Sequence, residues 1–353
     1  MHSNALVRLE REFSGVEFNA GGWLRMRRLA FFAHYDRDGI VDAYVVHYLS
    51  VLLESGIDHV YFASDCNLEG SELEKLPART RVVHTSPHGE YDFGSWKRCF
   101  ADCESEFGPD CLSQFEELVL CNDSCYGPLS SLNDMFDAMA QRSCDYWGVT
   151  HVEYSEGYYP TFFLVLRKHV LADSGFSAFM KTVGTFDNKQ DYCDRYEVGL
   201  NRLLETKGFI GTCYLEKYPH LCHSSVKSMD DNVFDAGMPF VRVLTARSNP
   251  GGIAYFGKRI VEVCERYGYP VELIEHHLHR IAPEFRKYWC YKYGDVDRRV
   301  LSIIRIRRKP KPETDKLRWK VWIFGIPVFY GAFPMKYDFD VRATNKPEVG
   351  SGV

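Results

Sequence analysis

Short apolar runs alternate with helical patterns along the first two-thirds of the chain. Arg28–Tyr35 (RLAFFAHY) reads as a first strand. Asp36 to Gly39 turns the chain into a helix, where Val41, Val45, Tyr48, Leu49 and Leu52 recur at helical spacing and Gly56 stands at the cap position. A second strand, His59–Ala63, ends in Ser64 and Asp65, and a short helix over Ser71–Lys75 leads to a third strand at Arg81–His84. The loop His88–Lys97 (HGEYDFGSWK) opens a helix reaching about Glu104. Phe115–Leu129 (FEELVLCNDSCYGPL) carries the fourth strand, whose apolar run Leu118–Cys121 stops abruptly at Asn122, Asp123 and Ser124. Four such alternations predict βαβ units and a mostly parallel α/β sheet flanked by helices. Strands this short and apolar fit burial on both faces.

Further along, Ser131–Ala140 reads as helix, Asp145–Thr150 as strand, Glu153–Pro160 (EYSEGYYP) as loop, Phe162–Leu166 as strand and Lys168–Met180 as helix. A helix from Tyr196 to Lys207, stopped by Gly208, precedes a last strand at Gly211–Leu215. Past about Phe240 the pattern changes. Helices around Ile253–Tyr267 and Pro270–Arg280 lead to a basic stretch, Arg298–Lys320, and then to WIFGIPVFYG. The expected organisation is an N-terminal arm (1–27), an α/β domain (28–250) and a largely helical, basic C-terminal extension (251–353).

The chain has 353 residues, enough for one large domain with an appendage. A net charge of −5 gives no global sign of a nucleic-acid partner. In Arg298–Lys320 the Lys and Arg residues mix with Ile, Leu and Trp, which fits either a membrane-surface contact or a solvated face. Aromatic residues make up 15% of the chain, which suits either ring stacking on ligands or a thick aromatic core. The 12 cysteines are scattered without a CxxC pair and read as reduced thiols. The N-terminus has no signal-type apolar core, and no window approaches the ~20 apolar residues of a membrane span. These features predict a cytoplasmic protein, peripheral at most on the inner face of the plasma membrane.

Asn122-Asp123-Ser124 ends the fourth strand, at the edge where open α/β sheets bind ligands. Asp123 there offers the hard oxygen that Mg²⁺ or Mn²⁺ takes between two phosphates, or it caps the following turn. At Tyr91–Lys97 the N–H groups of a helix start can hold phosphate, Trp96 can stack and Lys97 can meet a phosphate. The plainer alternative there is an Asp92 cap over a packed Trp96. Asp36 and Asp38 read as caps, and Ser64-Asp65 as a base or ribose contact. Glu197, at the head of an amphipathic helix, is either stabilised by the helix dipole or a general base for an acceptor hydroxyl. His220 and His223 have no cysteines at zinc-site spacing. There is no GxGxxG after the first strand and no GxSxG elbow, which weighs against nicotinamide-dependent and hydrolytic enzymes.

Taken in order, FFAHYDRDGIVDAYVVHYLSVLLE, YDFGSWK, ELVLCNDSCYGPL, DYWGV, FFLVLRKHVL, YEVGLNRLLETKGF and MPFVRVLTARSNP resemble the rhamnan synthesis protein F family, from about Leu29 to Asn249. The resemblance implies a GT-A-type glycosyltransferase fold. It implies a nucleotide-sugar donor, dTDP-rhamnose or GDP-rhamnose, and a glycan or lipid-linked glycan acceptor. It puts Asn122 and Asp123 where such enzymes hold metal and diphosphate and Asp92 at a nucleotide contact; with the residue readings above, Tyr35, Asp65, Asp92, Trp96, Lys97, Asn122 and Asp123 are the expected donor-binding residues, with Asp123 toward a divalent metal. Glu197, Leu200, Arg202 and Gly208 match an acid–Leu–Arg–Gly helix whose acid is the catalytic base of inverting enzymes. Tyr158, Tyr159 and Thr161 fall on the loop that shapes the acceptor or sugar pocket. A catalytically silent nucleotide-sugar-binding partner in a polysaccharide assembly complex is the alternative.

Overall fold

The computed structural model describes residues 17–18, 24–25, 27–152, 157–216, 234–290, 296–300, 304–311, 314, 316–324 and 326–336. They divide into two compact units. One comprises residues 1–41, 49–123 and 131–216; the other comprises 42–48, 124–130 and 217–353. The boundary expected near residue 250 therefore falls inside the second unit.

In the first unit β1 (Arg28–His34), β2 (His59–Ser64), β3 (Thr80–Thr85), β4 (Glu117–Asn122), β5 (Tyr146–Gly148), β6 (Phe163–Arg167) and β7 (Gly211–Cys213) form one sheet. Their order is β7-β5-β6-β4-β1-β2-β3. All pairs are parallel except those of β6, which runs antiparallel to both β4 and β5. The expected α/β architecture, a mostly parallel sheet flanked by helices, is present. Every residue of β4 is buried, as its run of apolar positions requires at the centre of a sheet covered on both faces.

The helix α1 (Ala43–Glu54) follows β1, and α2 (Tyr91–Phe107) follows β3. On α2 the residues Phe93, Trp96, Cys99, Phe100 and Cys103 make one apolar stripe. It packs with Phe31 and Tyr61 of the sheet and with Leu118 and Leu120 of β4. Phe93 lies near Phe179, Tyr192 and Tyr196, so much of the aromatic content builds core. Glu117, only 2% exposed, sits between Arg28 (2.7 Å) and Arg167 (3.3 Å). Arg167 also donates to the carbonyls of Met139, Arg142 and Cys144, which anchors the antiparallel β6 to its surroundings. The described cysteines are all free.

In the second unit Cys125–Tyr126 pairs antiparallel with Val241–Arg242. A short helix, Val243–Ser248, follows, then α3 (Phe256–Tyr267), α4 (Val271–Ile281) and α5 (Phe285–Cys290), in agreement with the helical expectation. The basic stretch then folds as strands. β8 (Val296–Val300), β9 (Ile304–Lys311), β10 (Lys316–Ile323) and β11 (Ile326–Pro334) form a four-stranded antiparallel sheet in sequence order. Among the described residues no helix is long and apolar enough to cross a membrane. His220 and His223 lie outside the described residues.

Candidate active site

Strand order reverses between β1 and β4. The chain moves outward from β1 through β2 and β3, then returns to the other side of β1 for β4. Such a switch point leaves a crevice beyond the carboxyl ends of the two strands. Their register, Ala33 opposite Asn122, brings Tyr35 and Asp123 together at that edge. Asp123 Oδ2 accepts from the Tyr35 N–H at 2.8 Å. The Tyr35 ring itself is 59% exposed, so it offers a free aromatic face beside the carboxylate.

A polar shell stands around this pair. Buried His34 has its Nε2 4.0 Å from Asp123 Oδ2 and its Nδ1 2.8 Å from Ser64 Oγ. The Asn122 side chain is buried and donates to Asp92 Oδ2 at 2.9 Å, tying the end of β4 to the first turn of α2. Asp36 Oδ1 accepts from the N–H groups of Asp38 and Ile40, so this acid caps a turn ahead of the helix. Burial pushes the Asp123 carboxyl well above the usual carboxylate range. The Tyr35 N–H pulls it back, and the carboxylates of Asp92 and Asp36 push it up again. A carboxylate oxygen such as that of Asp123 is the ligand type that a hard divalent cation takes.

Glu197 belongs to a π-helical turn, Cys193–Val198, that runs directly into the helix α6 (Gly199–Thr206). Such widened turns often occur at functional sites, because they displace a side chain from the regular helical face. Glu197 Oε1 accepts from both the N–H (3.0 Å) and the hydroxyl (3.1 Å) of Thr161. Beside it, Asn201 accepts from the Tyr159 N–H and donates to the Glu197 carbonyl. Burial, together with the nearby charges of Glu197 and Asp92, pushes the Cys193 thiol up to about 11.

One expected contact is corrected, that of Trp96, and the other expected residues have partners within the fold. Trp96 is fully buried and its indole N–H donates to the Cys121 carbonyl at 3.1 Å, so it packs the core and cannot stack on a nucleotide. The residues Tyr91–Lys97 lie on α2 itself, not in a loop before it. The Lys97 ammonium donates to the Val183 carbonyl at 2.7 Å and pairs with Glu90 at 3.4 Å. Asp65 accepts from the N–H groups of His88 and Gly89 through one oxygen, which orders the loop ahead of α2. Thr161 is buried and donates its hydroxyl to Glu197. Tyr158 pairs with Val152 in an isolated bridge, and Tyr159 stands edge-on to Tyr146, its phenol pushed up to about 12 by burial. The sequence reading missed His34 and Asn201. His34 had one signal, its place as the last residue of a buried strand immediately before Tyr35. Asn201, one turn after Glu197, had none.

No curated protein matches the chain. Among solved structures it is similar to the mannosyltransferase Ktr4p from S. cerevisiae in complex with GDP. The identity is 8% and the TM-score 0.28, over 50% of this chain and 70% of that one. It is similar also to core-mannan synthase A from Aspergillus fumigatus in a Mn/GDP form, at 8% identity and a TM-score of 0.29 over the same shares. These likenesses are too loose to carry a residue or a ligand across. The sequence profile of rhamnan synthesis protein F matches residues 60–300, more than half of the chain and including α2, β4, Thr161 and Glu197, and the chain belongs to that family.

Proposed function

We propose that this protein is an inverting glycosyltransferase of GT-A type that moves a deoxysugar, rhamnose, from a nucleoside diphosphate donor to a growing glycan. The observation that carries the reading is the switch-point edge, where Tyr35 and Asp123 meet at the ends of adjacent strands. Tyr35 supplies an exposed face for the base. Asp123, with Asp92 beside it, would hold a Mg²⁺ or Mn²⁺ ion, whose chemistry is to neutralise the diphosphate as it leaves.

Glu197 takes the proton from the acceptor hydroxyl, and the oxygen then attacks the anomeric carbon in one displacement. One base suffices, without the second carboxylate that a covalent intermediate would need. Thr161 fixes that base through two hydrogen bonds to one oxygen, which leaves the other oxygen of Glu197 to meet the hydroxyl. Asn122 orients Asp92 and thereby the carboxylate pair. An acceptor carried on a membrane lipid would bring the enzyme to the inner face of the plasma membrane.

The test is direct. Purified protein is given dTDP-rhamnose or GDP-rhamnose with a glycan acceptor. Nucleoside diphosphate release is followed, and the anomeric configuration of the product is read by NMR. Inverted rhamnosyl product supports the reading. Donor binding without turnover refutes it in favour of a silent partner, and retention of configuration refutes the single displacement.

A further inference from the structure

The C-terminal sheet carries a feature that donor chemistry does not use. Across β9 and β10, cation stands opposite cation in three successive same-face pairs: Arg307 with Lys320, Lys309 with Arg318, and Lys311 with Lys316. Residues directly opposite in an antiparallel ladder share a face, and like charges placed so repel each other. Six cations therefore lie on one face of a small sheet, in a protein whose net charge is −5. The alternate positions form the other face. Ile306 stands opposite Val321, and Leu317 is buried against Met335, Tyr288 and Trp319. Arg307, Lys309, Lys316 and Lys320 are exposed, so the cationic face meets solvent.

The last hairpin exposes apolar side chains at its tip and on both faces: Tyr330, opposite Lys320, shares the cationic face, while Phe329, opposite Val321, and Phe333, opposite Leu317, stand on the other. Phe324, at the turn between β10 and β11, is 73% exposed and Ile326 is 65% exposed; Val328, Phe329, Tyr330 and Phe333 are also exposed. Phe324 has a φ of 49°, in the left-handed region that bulky residues avoid and that hairpin turns usually give to Asn or Gly. Folding alone does not select phenylalanine there. The Lys320 ammonium lies 5.4 Å from the centre of the Tyr330 ring, its partner in the ladder, so this aromatic ring belongs to the cationic face.

We propose that this sheet docks on an anionic lipid surface, with its cationic face against the headgroups and Phe324 and Ile326 in the headgroup–acyl boundary. Charge complementarity selects an anionic partner. The aliphatic side chains select a lipid one, since a nucleic acid gains nothing from Ile326 or Val328. The inference deepens the reading of a lipid-borne acceptor, and vesicle binding is measured without donor, so the two stand or fall separately.

The experiment is co-sedimentation of the full chain with phosphatidylcholine vesicles, with and without phosphatidylglycerol. Wild-type protein is expected to pellet with the anionic vesicles and to be released by high salt. Arg307→Ala, Lys309→Ala, Arg318→Ala and Lys320→Ala should each weaken partitioning about fivefold, and together on the order of several hundredfold. Phe324→Ser should weaken it roughly tenfold. Phe324→Trp should show blue-shifted emission when anionic vesicles are added, a readout that does not require loss of binding. Circular dichroism checks that the variants fold. Equal binding to neutral vesicles, binding unchanged by the four alanines, or a wild-type dimer dissolved by the same alanines would overturn the proposal, the last by assigning the face to a second copy of the chain. Vesicle binding by protein that turns over no donor would leave this inference standing and remove the transferase reading.

Discussion

Glu197→Gln keeps the size of the side chain and an acceptor oxygen for Thr161, and removes the base. Both hydrogen bonds from Thr161, at 3.0 and 3.1 Å, end on the same oxygen, so the amide can accept both. The stability cost is then only the charge-assisted part of those bonds, about 1 kcal/mol. Loss of a general base costs roughly 10²–10⁴ in rate, which is about 3–5 kcal/mol of transition-state stabilisation. Glu197→Ala gives the contrast, because it strands the Thr161 donors and should cost about 2–3 kcal/mol of stability as well. The assay measures kcat from nucleoside diphosphate release, donor Kd by calorimetry and Tm by thermal unfolding. The expected pattern for Glu197→Gln is a large fall in kcat with donor Kd unchanged and Tm nearly unchanged. Near wild-type kcat would refute the base assignment. Donor affinity falling in step with activity would make Glu197 a binding group.

Asp123 gives a pH-dependent test. Its folded-state pKa is raised, so the stability it contributes is full below the ordinary carboxylate range and is lost as pH rises through the raised value. Asp123→Asn should therefore raise Tm at neutral pH in EDTA and abolish any Tm increase on adding Mn²⁺, while wild-type protein should gain more from Mn²⁺ as pH rises. A wild-type Tm that ignores Mn²⁺ across that range would count against a cation at this edge. Tyr35→Ala removes the exposed ring and should weaken nucleoside diphosphate binding by about tenfold with little change in Tm, because the ring packs little; isothermal titration decides. Glu117→Ala leaves Arg28 and Arg167 without their shared buried carboxylate and should cost about 3–5 kcal/mol by denaturant unfolding. A cost below about 1 kcal/mol would mean that the arginines find other partners.

The strands of the first unit were legible because each is a short apolar run closed by polar or turn residues. Arg28–His34, His59–Ser64 and Glu117–Asn122 lie within a residue or two of their expected bounds. The switch-point edge was legible for the same reason: the apolar run of β4 ends at Asn122 and Asp123. The state of Trp96 was not. A tryptophan near the start of a helix has the same local pattern whether it caps a ligand pocket or fills the core. The C-terminal sheet was also hidden. Alternation of Ile304 and Ile306 with arginines has the period of a strand, but Pro310 inside the run reads as a breaker and the density of charge reads as solvated loop.

By itself the sequence determined the elements of the first unit and the polar tip of β4, because hydrophobic period and strand-end chemistry are local properties. It also carried the family resemblance. Only the tertiary structure decided that β6 runs antiparallel, since a buried strand shows the same apolar run in either direction. Only the fold brought Asp123 to Tyr35 across 88 residues, Asn122 to Asp92 across 30, and Glu197 to Thr161 across 36. Only the register of β9 on β10 turned a basic stretch into one cationic face. Each of these depends on strand order and register, which arise from packing between distant segments and leave no mark on any one of them.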